Sequence, residues 1–240
     1  MALLKDLRTI LAAALMACTV AILFSSCSET EDTDNEFADW KNRNEAYFAN
    51  AMRIAGDSIA EARALYGSDW EQHCNYRQYL CYSRHNGSAH TQTDSIAVEI
   101  LKRGTGTVSP FTTDSVRIAY RTLLIPTSGH PTGLVADHTG VSTSFDKVFD
   151  RNTMSPVNFR VGSLVRGVTT ALLYMKTGYR WRVTIPTDLA YGEQSGTSIP
   201  KNSTIIFEME LVGVYRNGTT PARGNNKSTP CNCKKETGRK

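Results

Sequence analysis

The sequence predicts an α+β fold: an antiparallel sheet with one short central helix, preceded by an N-terminal helical arm. Three observations lead there. Five β-patterned runs lie between residues 96 and 215. One short helical stretch, around Leu172, Leu173 and Met175, interrupts them, so the order is not a βαβ repeat. Residues 37–65, by contrast, carry apolar side chains at spacings near three and four.

Composition agrees with a folded chain. Of 240 residues, 40% are apolar and 21% charged, with 17 Gly and 8 Pro, which excludes collagen, coiled coil and wholesale disorder. The net charge of +4, from 27 basic and 23 acidic residues, is too weak a field for a nucleic-acid partner. Six cysteines are too few for a disulfide scaffold.

Residues 1–26 read as a signal peptide: Lys5 and Arg8, an apolar run of 15 residues from Ile10 to Phe24, then Ser25 and Ser26. The run is short for a membrane span, which needs about 20 residues. Cys27 follows directly, and the Ser-Ser-Cys order resembles the lipobox of bacterial lipoproteins, whose N-terminal Cys carries a lipid. Cys18 is rejected as the rival because the apolar run continues beyond it. The expected location is the cell envelope, with Cys27 lipid-anchored to a bacterial membrane, the outer membrane by preference, on its periplasmic or surface face. Residues 27–36 are an acidic tether, read equally as a spacer or as a surface-export signal.

Along the rest of the chain each element has its own signal. In the arm, Trp40, Tyr47, Phe48, Ala51, Ile54, Ile59 and Ala64 form the apolar side. Asp34 or Asn35 is the candidate cap, Gly67 the stop, and Gly56-Asp57 a candidate break into two helices. The arm covers the main domain or pairs with a second chain in a homodimer. Residues 67–93 read as a connector with partial helix. Strands are expected at 96–101, 115–125, 157–161, 179–185 and 204–215, with a long loop from Ile125 to Ser144 and a helix ending near Gly178. Residues 217–240, polar and basic, read as a disordered tail.

The stretch 145–214 carries Phe145-Asp146, Asp150-Arg151, Gly162, Gly167, Met175-x-x-Gly178, Ile185-Pro186, Leu189-Ala-Tyr-Gly192, Ile199-Pro200 and Phe207-x-x-Glu210-Leu211. In order and spacing these resemble FKBP-type peptidyl-prolyl cis–trans isomerases, and strand matches upstream extend the resemblance over residues 94–216. The resemblance implies a strongly twisted antiparallel sheet wrapped around the short helix, with an aromatic-lined cup between them that accepts a prolyl side chain.

Site residues follow from the same resemblance. Tyr120 and Phe145 match cup walls, and Asp146 matches a buried carboxylate oriented by Tyr120 or Arg151. Leu164 and Val165 match the paired aliphatic residues where backbone binds ligand. Tyr191 matches a phenol that donates to a substrate carbonyl, Ile199 an apolar lip, and Phe207 the aromatic at the back. Asp146, Tyr191 and Phe207 are the catalytic candidates. No cofactor and no metal is implied. Proline-containing polypeptides are the expected substrates and macrolides the candidate inhibitory ligands.

Three departures matter. Relative to the family, a long insertion of roughly Ile125 to Ser144 lies between the second strand and Phe145, in a place to overhang the pocket. Where the family usually has Trp at the cup floor, this chain has Val168, so the floor is either deeper or refilled by a neighbour. FDKVFD also offers a second pair, Phe149-Asp150; Phe145-Asp146 is preferred because Asp150-Arg151 then falls on the family's own Asp-Arg. The leading reading is therefore a lipid-anchored prolyl isomerase that helps exported proteins fold. The alternatives are a catalytically weak FKBP-like chaperone or peptide-binding module, and a structural lipoprotein.

Other chemistry is weaker. Cys74, Cys81, Cys231 and Cys233 with His73 and His85 fit no standard zinc spacing, and a disulfide suits an exported protein better. Cys74 and Cys81 lie about 10.5 Å apart if helical, beyond disulfide reach. His130 and His138 are expected to be solvated.

Overall fold

The computed structural model describes residues 36–85, 87, 89–140, 149–194 and 198–217. The signal segment, Cys27, the tether up to residue 35, Phe145, Asp146, Cys231, Cys233 and the tail from residue 218 lie outside the described residues.

The arm is one helix, α1 (Trp40–Tyr66), of 27 residues. Its buried stripe is Trp40, Asn44, Phe48, Met52, Ala55, Ile59 and Ala62, a run of three- and four-residue steps. Ile54, expected on that stripe, is exposed. The helix starts after Asp39, which sits at φ 49°, and not at Asp34 or Asn35. It stops at Gly67, whose φ of 55° favours glycine. Gly56 does not break it. Gln78 reaches across at that point, donating from Nε2 to the Met52 carbonyl at 2.6 Å, and Asp57 pairs with Arg53 one turn back at 2.9 Å.

The connector holds a 3-10 turn (Gly67–Asp69), a single turn α2 (Trp70–His73) and a strand the sequence reading missed, β1 (Tyr76–Leu80). The remaining elements are β2 (Ser95–Lys102), β3 (Ser115–Leu123), β4 (Val135–His138), β5 (Val157–Arg160), α3 (Arg166–Tyr174), β6 (Arg180–Ile185) and β7 (Ile205–Tyr215). The seven strands form one antiparallel sheet in the order β1-β2-β6-β7-β3-β4, with β5 also paired to β3. All five expected strands are present; the expected loop from Ile125 to Ser144 contains the seventh, β4, folded back on β3 through Arg121↔His138 and Leu123↔Val135. His138 is accordingly half-buried, its Nδ1 accepting from the Gly140 N–H at 2.9 Å, while His130 is exposed.

Alternation splits the sheet into two faces. On one, Val98, Ile118, Val183, Ile185, Met209 and Leu211 pack against Val168, Ala171 and Leu172 of α3. The helix lies close because Gly167 has no side chain; a Cβ there would stand 2.2 Å from Ile185 Cγ2. On the other face α1 covers β2, with Phe48, Met52 and Ala55 around Ala97. Polar locks fix that docking: Trp40 Nε1 donates to Ser203 Oγ at 2.9 Å, and the Thr204 N–H donates to Asn44 Oδ1 at 2.8 Å. Glu208, 2% exposed, is held on this second face by Arg121, whose Nε and Nη2 both donate to Oε2 at 3.0 and 2.8 Å.

Cys74 and Cys81 are both buried and both free. The chain between them runs as β1, so their separation is about 23 Å at strand rise, and they cannot pair with each other. Among the described residues no three His, Cys, Asp or Glu side chains gather as metal ligands.

Candidate active site

The residues expected to form a cup come from β3, β7, α3, the segment just before α3 and the chain between β6 and β7. Tyr120 sits on β3 and Phe207 on β7, one diagonal step away, because the register pairs Thr122 with Phe207 and Tyr120 with Met209. Their rings stack at 4.9 Å with 14° between planes. Phe159 of β5 meets Tyr120 edge-on at 5.8 Å and 65°. Both contacts fall in the range where aromatic pairs attract. Val168, 1% exposed in the first turn of α3, belongs to the same apolar cluster, with buried Ile199 and half-buried Leu164 and Val165.

The segment before α3 is fixed by its polar groups. Thr169 Oγ1 donates to the Val161 carbonyl at 2.8 Å, and the Gly162 N–H donates to the Thr112 carbonyl at 3.0 Å. Leu164 and Val165 are thereby held against the helix start. The loop carrying Tyr191 is closed by Gly192 N–H to Thr187 O at 2.9 Å, with Gly192 at φ 65°. It is tied to the following loop by Asn202 N–H to Gly192 O at 3.0 Å. Ser198 Oγ donates to the Ala136 carbonyl at 2.9 Å, fastening the Ile199 loop to β4.

A carboxylate that the sequence reading missed enters here. The Tyr120 hydroxyl donates to Asp137 Oδ2 at 2.7 Å. Burial raises the Tyr120 phenol well above its ordinary 10, and the hydrogen bond to Asp137, that carboxylate's charge and Tyr191 push it further. Burial likewise raises Tyr191, with the charge of Asp137 as the second cause, although its ring is 43% exposed. Tyr120, Asp137 and Tyr191 thus share one electrostatic neighbourhood, with both phenols held protonated.

Of the site residues expected from sequence, Tyr120 and Phe207 touch, Val168, Leu164, Val165 and Ile199 join their cluster, and Tyr191 lies within the field of the Asp137 charge. Phe145 and Asp146 lie outside the described residues. The partners expected for Asp146 are engaged elsewhere: Tyr120 with Asp137, and Arg151 with the Met154 carbonyl at 2.6 Å and Glu210 at 3.5 Å. Phe149 packs with Ala119 and Met154 under the Arg180 guanidinium, on the face of β3 away from Tyr120. The alternative pair Phe149-Asp150 is therefore not a cup wall. Phe159 was legible from the alternation Val157, Phe159, Val161; Asp137 had no sequence signal beyond lying in the inserted segment.

A family model described as FKBP-type peptidyl-prolyl cis-trans isomerase matches residues 111–212, which hold every cup residue named above. The FK506-binding protein 1A of Neurospora crassa is 37% identical over 126 residues, 51% of this chain and 91% of that protein. The chain belongs to the FKBP-type peptidyl-prolyl cis-trans isomerase family. Its FKBP domain carries the family's isomerase activity, a reaction of protein folding. The FKBP-type 22 kDa peptidyl-prolyl cis-trans isomerase of Escherichia coli is 32% identical over 138 residues, 57% of this chain and 58% of that protein. The outer membrane protein MIP of Legionella longbeachae is 34% identical over 121 residues, 49% of this chain and 43% of that protein. The chain thus spans about half the length of these last two relatives.

Proposed function

We propose that the cup bounded by Tyr120, Phe207, Val168, Leu164, Val165 and Ile199 rotates X-Pro bonds by desolvation, with Tyr191 as the hydrogen-bond donor to the substrate carbonyl. Phe145 and Asp146 join this wall by resemblance. The barrier to rotation, about 20 kcal/mol, comes from amide resonance, which is also what makes the planar amide dipolar. Twisting removes that charge separation, so an apolar, water-poor surface stabilises the twisted amide more than the planar one. Each tenfold of rate requires about 1.4 kcal/mol of such differential stabilisation.

The observation that carries the reading is the Tyr120–Phe207 stack with the Tyr120 hydroxyl committed to Asp137. That bond engages the polar end of Tyr120 with a carboxylate, while its ring packs on Phe207 and supports an apolar wall. Both phenols are raised above 10, so the site offers donors and apolar walls, not a base at neutral pH.

The substrates in this proposal are proline-containing chains folding in the bacterial cell envelope. The name of the Legionella relative and the Ser-Ser-Cys27 order support that location and a lipid anchor at Cys27 in the outer membrane. A protease-free isomerisation assay on X-Pro peptides, with a macrolide as inhibitor, tests the activity. Turnover that the macrolide abolishes is expected. Peptide binding without turnover would instead support the chaperone-like reading, which Val168 in place of the floor Trp favours.

A further inference from the structure

Asp137 is an exposed carboxylate on β4 whose Oδ2 accepts the hydroxyl of Tyr120, a residue of the proposed cup, at 2.7 Å. Among the described residues its other oxygen accepts no hydrogen bond, and no Lys, Arg or His pairs with it. A carboxylate can accept about four hydrogen bonds, so one phenol leaves most of that capacity unused. Arg121 follows Tyr120 in the chain but lies on the other face of β3, where its guanidinium holds Glu208.

The carboxylate is fixed in place from both sides. After it, the Thr139 N–H donates to the Tyr120 carbonyl at 3.0 Å, and the Tyr120 N–H donates to Thr139 Oγ1 at 3.1 Å. Before it, the Ala136 carbonyl accepts from Ser198 Oγ at 2.9 Å. The charge also acts beyond its bond to Tyr120. After burial, it is the cause that raises the phenol of Tyr191, whose residue is 43% exposed.

We propose that Asp137 makes the site selective for X-Pro bonds in which X is Lys or Arg. The inference rests on the reading of Tyr191 as donor to the substrate carbonyl. The carbonyl of an X-Pro bond belongs to X, so that donor brings X, and not the residue after the proline, nearest to the field of Asp137. A cationic X supplies the partner that the described residues do not, and an anionic X meets a like charge. A neutral X gains nothing from the carboxylate.

The full chain is tested on three capped peptides, Ala-X-Pro-Phe with X as Lys, Gln or Glu. Cis–trans exchange is followed without protease, and peptide affinity is measured in parallel. Salt is set at about 0.01 M and about 0.15 M, where the screening length is about 30 Å and about 8 Å. At low salt kcat/KM is expected to fall in the order Lys, Gln, Glu, with about tenfold between Lys and Glu. The ratio should shrink at the higher salt and approach parity in Asp137→Asn, which keeps an acceptor for Tyr120 and removes the charge. Each ratio is taken within one protein, so a general loss of rate in the variant cancels. Parity in wild type, a ratio indifferent to salt, or a Lys preference that survives in Asp137→Asn would each overturn the proposal. Tighter binding of the Lys peptide without turnover would uphold the charge preference and overturn the isomerase reading. Neither binding nor turnover with any of the three would overturn both.

Discussion

Tyr120 and Asp137 lie seventeen residues apart and meet at 2.7 Å, the phenol donating to Oδ2. The meeting depends on β4, which folds the inserted segment back along β3 so that Thr122 faces Asp137. An insertion next to the site therefore orients a ring inside it.

Removing that carboxylate should loosen the ring without unfolding the sheet, because Asp137 is exposed. Asp137→Ala leaves the Tyr120 hydroxyl to water or to the cup. A hydrogen bond to a charged group contributes about 1.5–3 kcal/mol, and only part of that reaches the transition state. We expect kcat/KM to fall about threefold to thirtyfold with Tm little changed. Asp137→Asn keeps an acceptor and should recover most of the loss. Equal activity in wild type and Asp137→Ala, measured on one X-Pro peptide, would remove Asp137 from the site.

Legibility followed locality. The strands at 96–101 and 115–125 alternate in the sequence itself, and Gly178, at φ 83°, marks the region where α3 ends. β1 was missed because Tyr-Arg-Gln-Tyr-Leu does not alternate apolar with polar; Arg77 is its buried residue, and Gln78 is anchored to α1. β4 was missed because Val-Ala-Asp-His is short and lies among Pro, Gly and Ser. Tyr120, Tyr191 and Phe207 were legible through their order along the chain. Asp137 was not, since its role exists only once a hairpin returns it to Tyr120.

The floor of the cup gives a second test. Val168 is 1% exposed within the main core cluster, so the position is already covered. A Trp there must displace packed neighbours. Val168→Trp should destabilise the domain by about 1–3 kcal/mol through overpacking. Urea unfolding of the two chains measures this. A gain in stability or in macrolide affinity would mean the floor is open.

The arm gives a third. Phe48 is buried against Ala97, and Asn44 accepts the Thr204 N–H while its own carbonyl accepts from Thr204 Oγ1 at 3.1 Å. Asn44→Ala strands a buried donor next to the strand that carries Phe207, a loss of about 1–3 kcal/mol. Phe48→Ala empties a packed site and should cost about 3–5 kcal/mol. Both effects should appear in one unfolding transition shared by helix and sheet. Separate transitions by far-UV and near-UV signals would show the arm folding independently of the sheet.

The pH behaviour of Tyr191 and Tyr120 distinguishes desolvation from acid–base catalysis. Both phenols are pushed above their ordinary 10, by burial first and by the Asp137 charge, so neither titrates near neutrality. Tyr191→Phe removes one donor and keeps the ring; at about 0.5–1.5 kcal/mol for a net hydrogen bond, turnover should slow about tenfold or less. The rate should be flat from pH 5 to 8 in both proteins. A bell-shaped profile in that window would assign the step to a titrating group and overturn the desolvation mechanism. Stability should show the complementary sign. A phenol raised on folding keeps its proton where the unfolded chain has lost it, so its contribution is fully present below pH 10 and declines as the pH rises through and beyond that value. Tyr120→Phe removes the group and should therefore flatten part of the alkaline loss of stability seen in wild type, measured as Tm between pH 9 and 12. An identical alkaline decline in both chains would mean the Tyr120 phenol is not held protonated by the fold, and the Tyr120–Asp137 bond would lose its support.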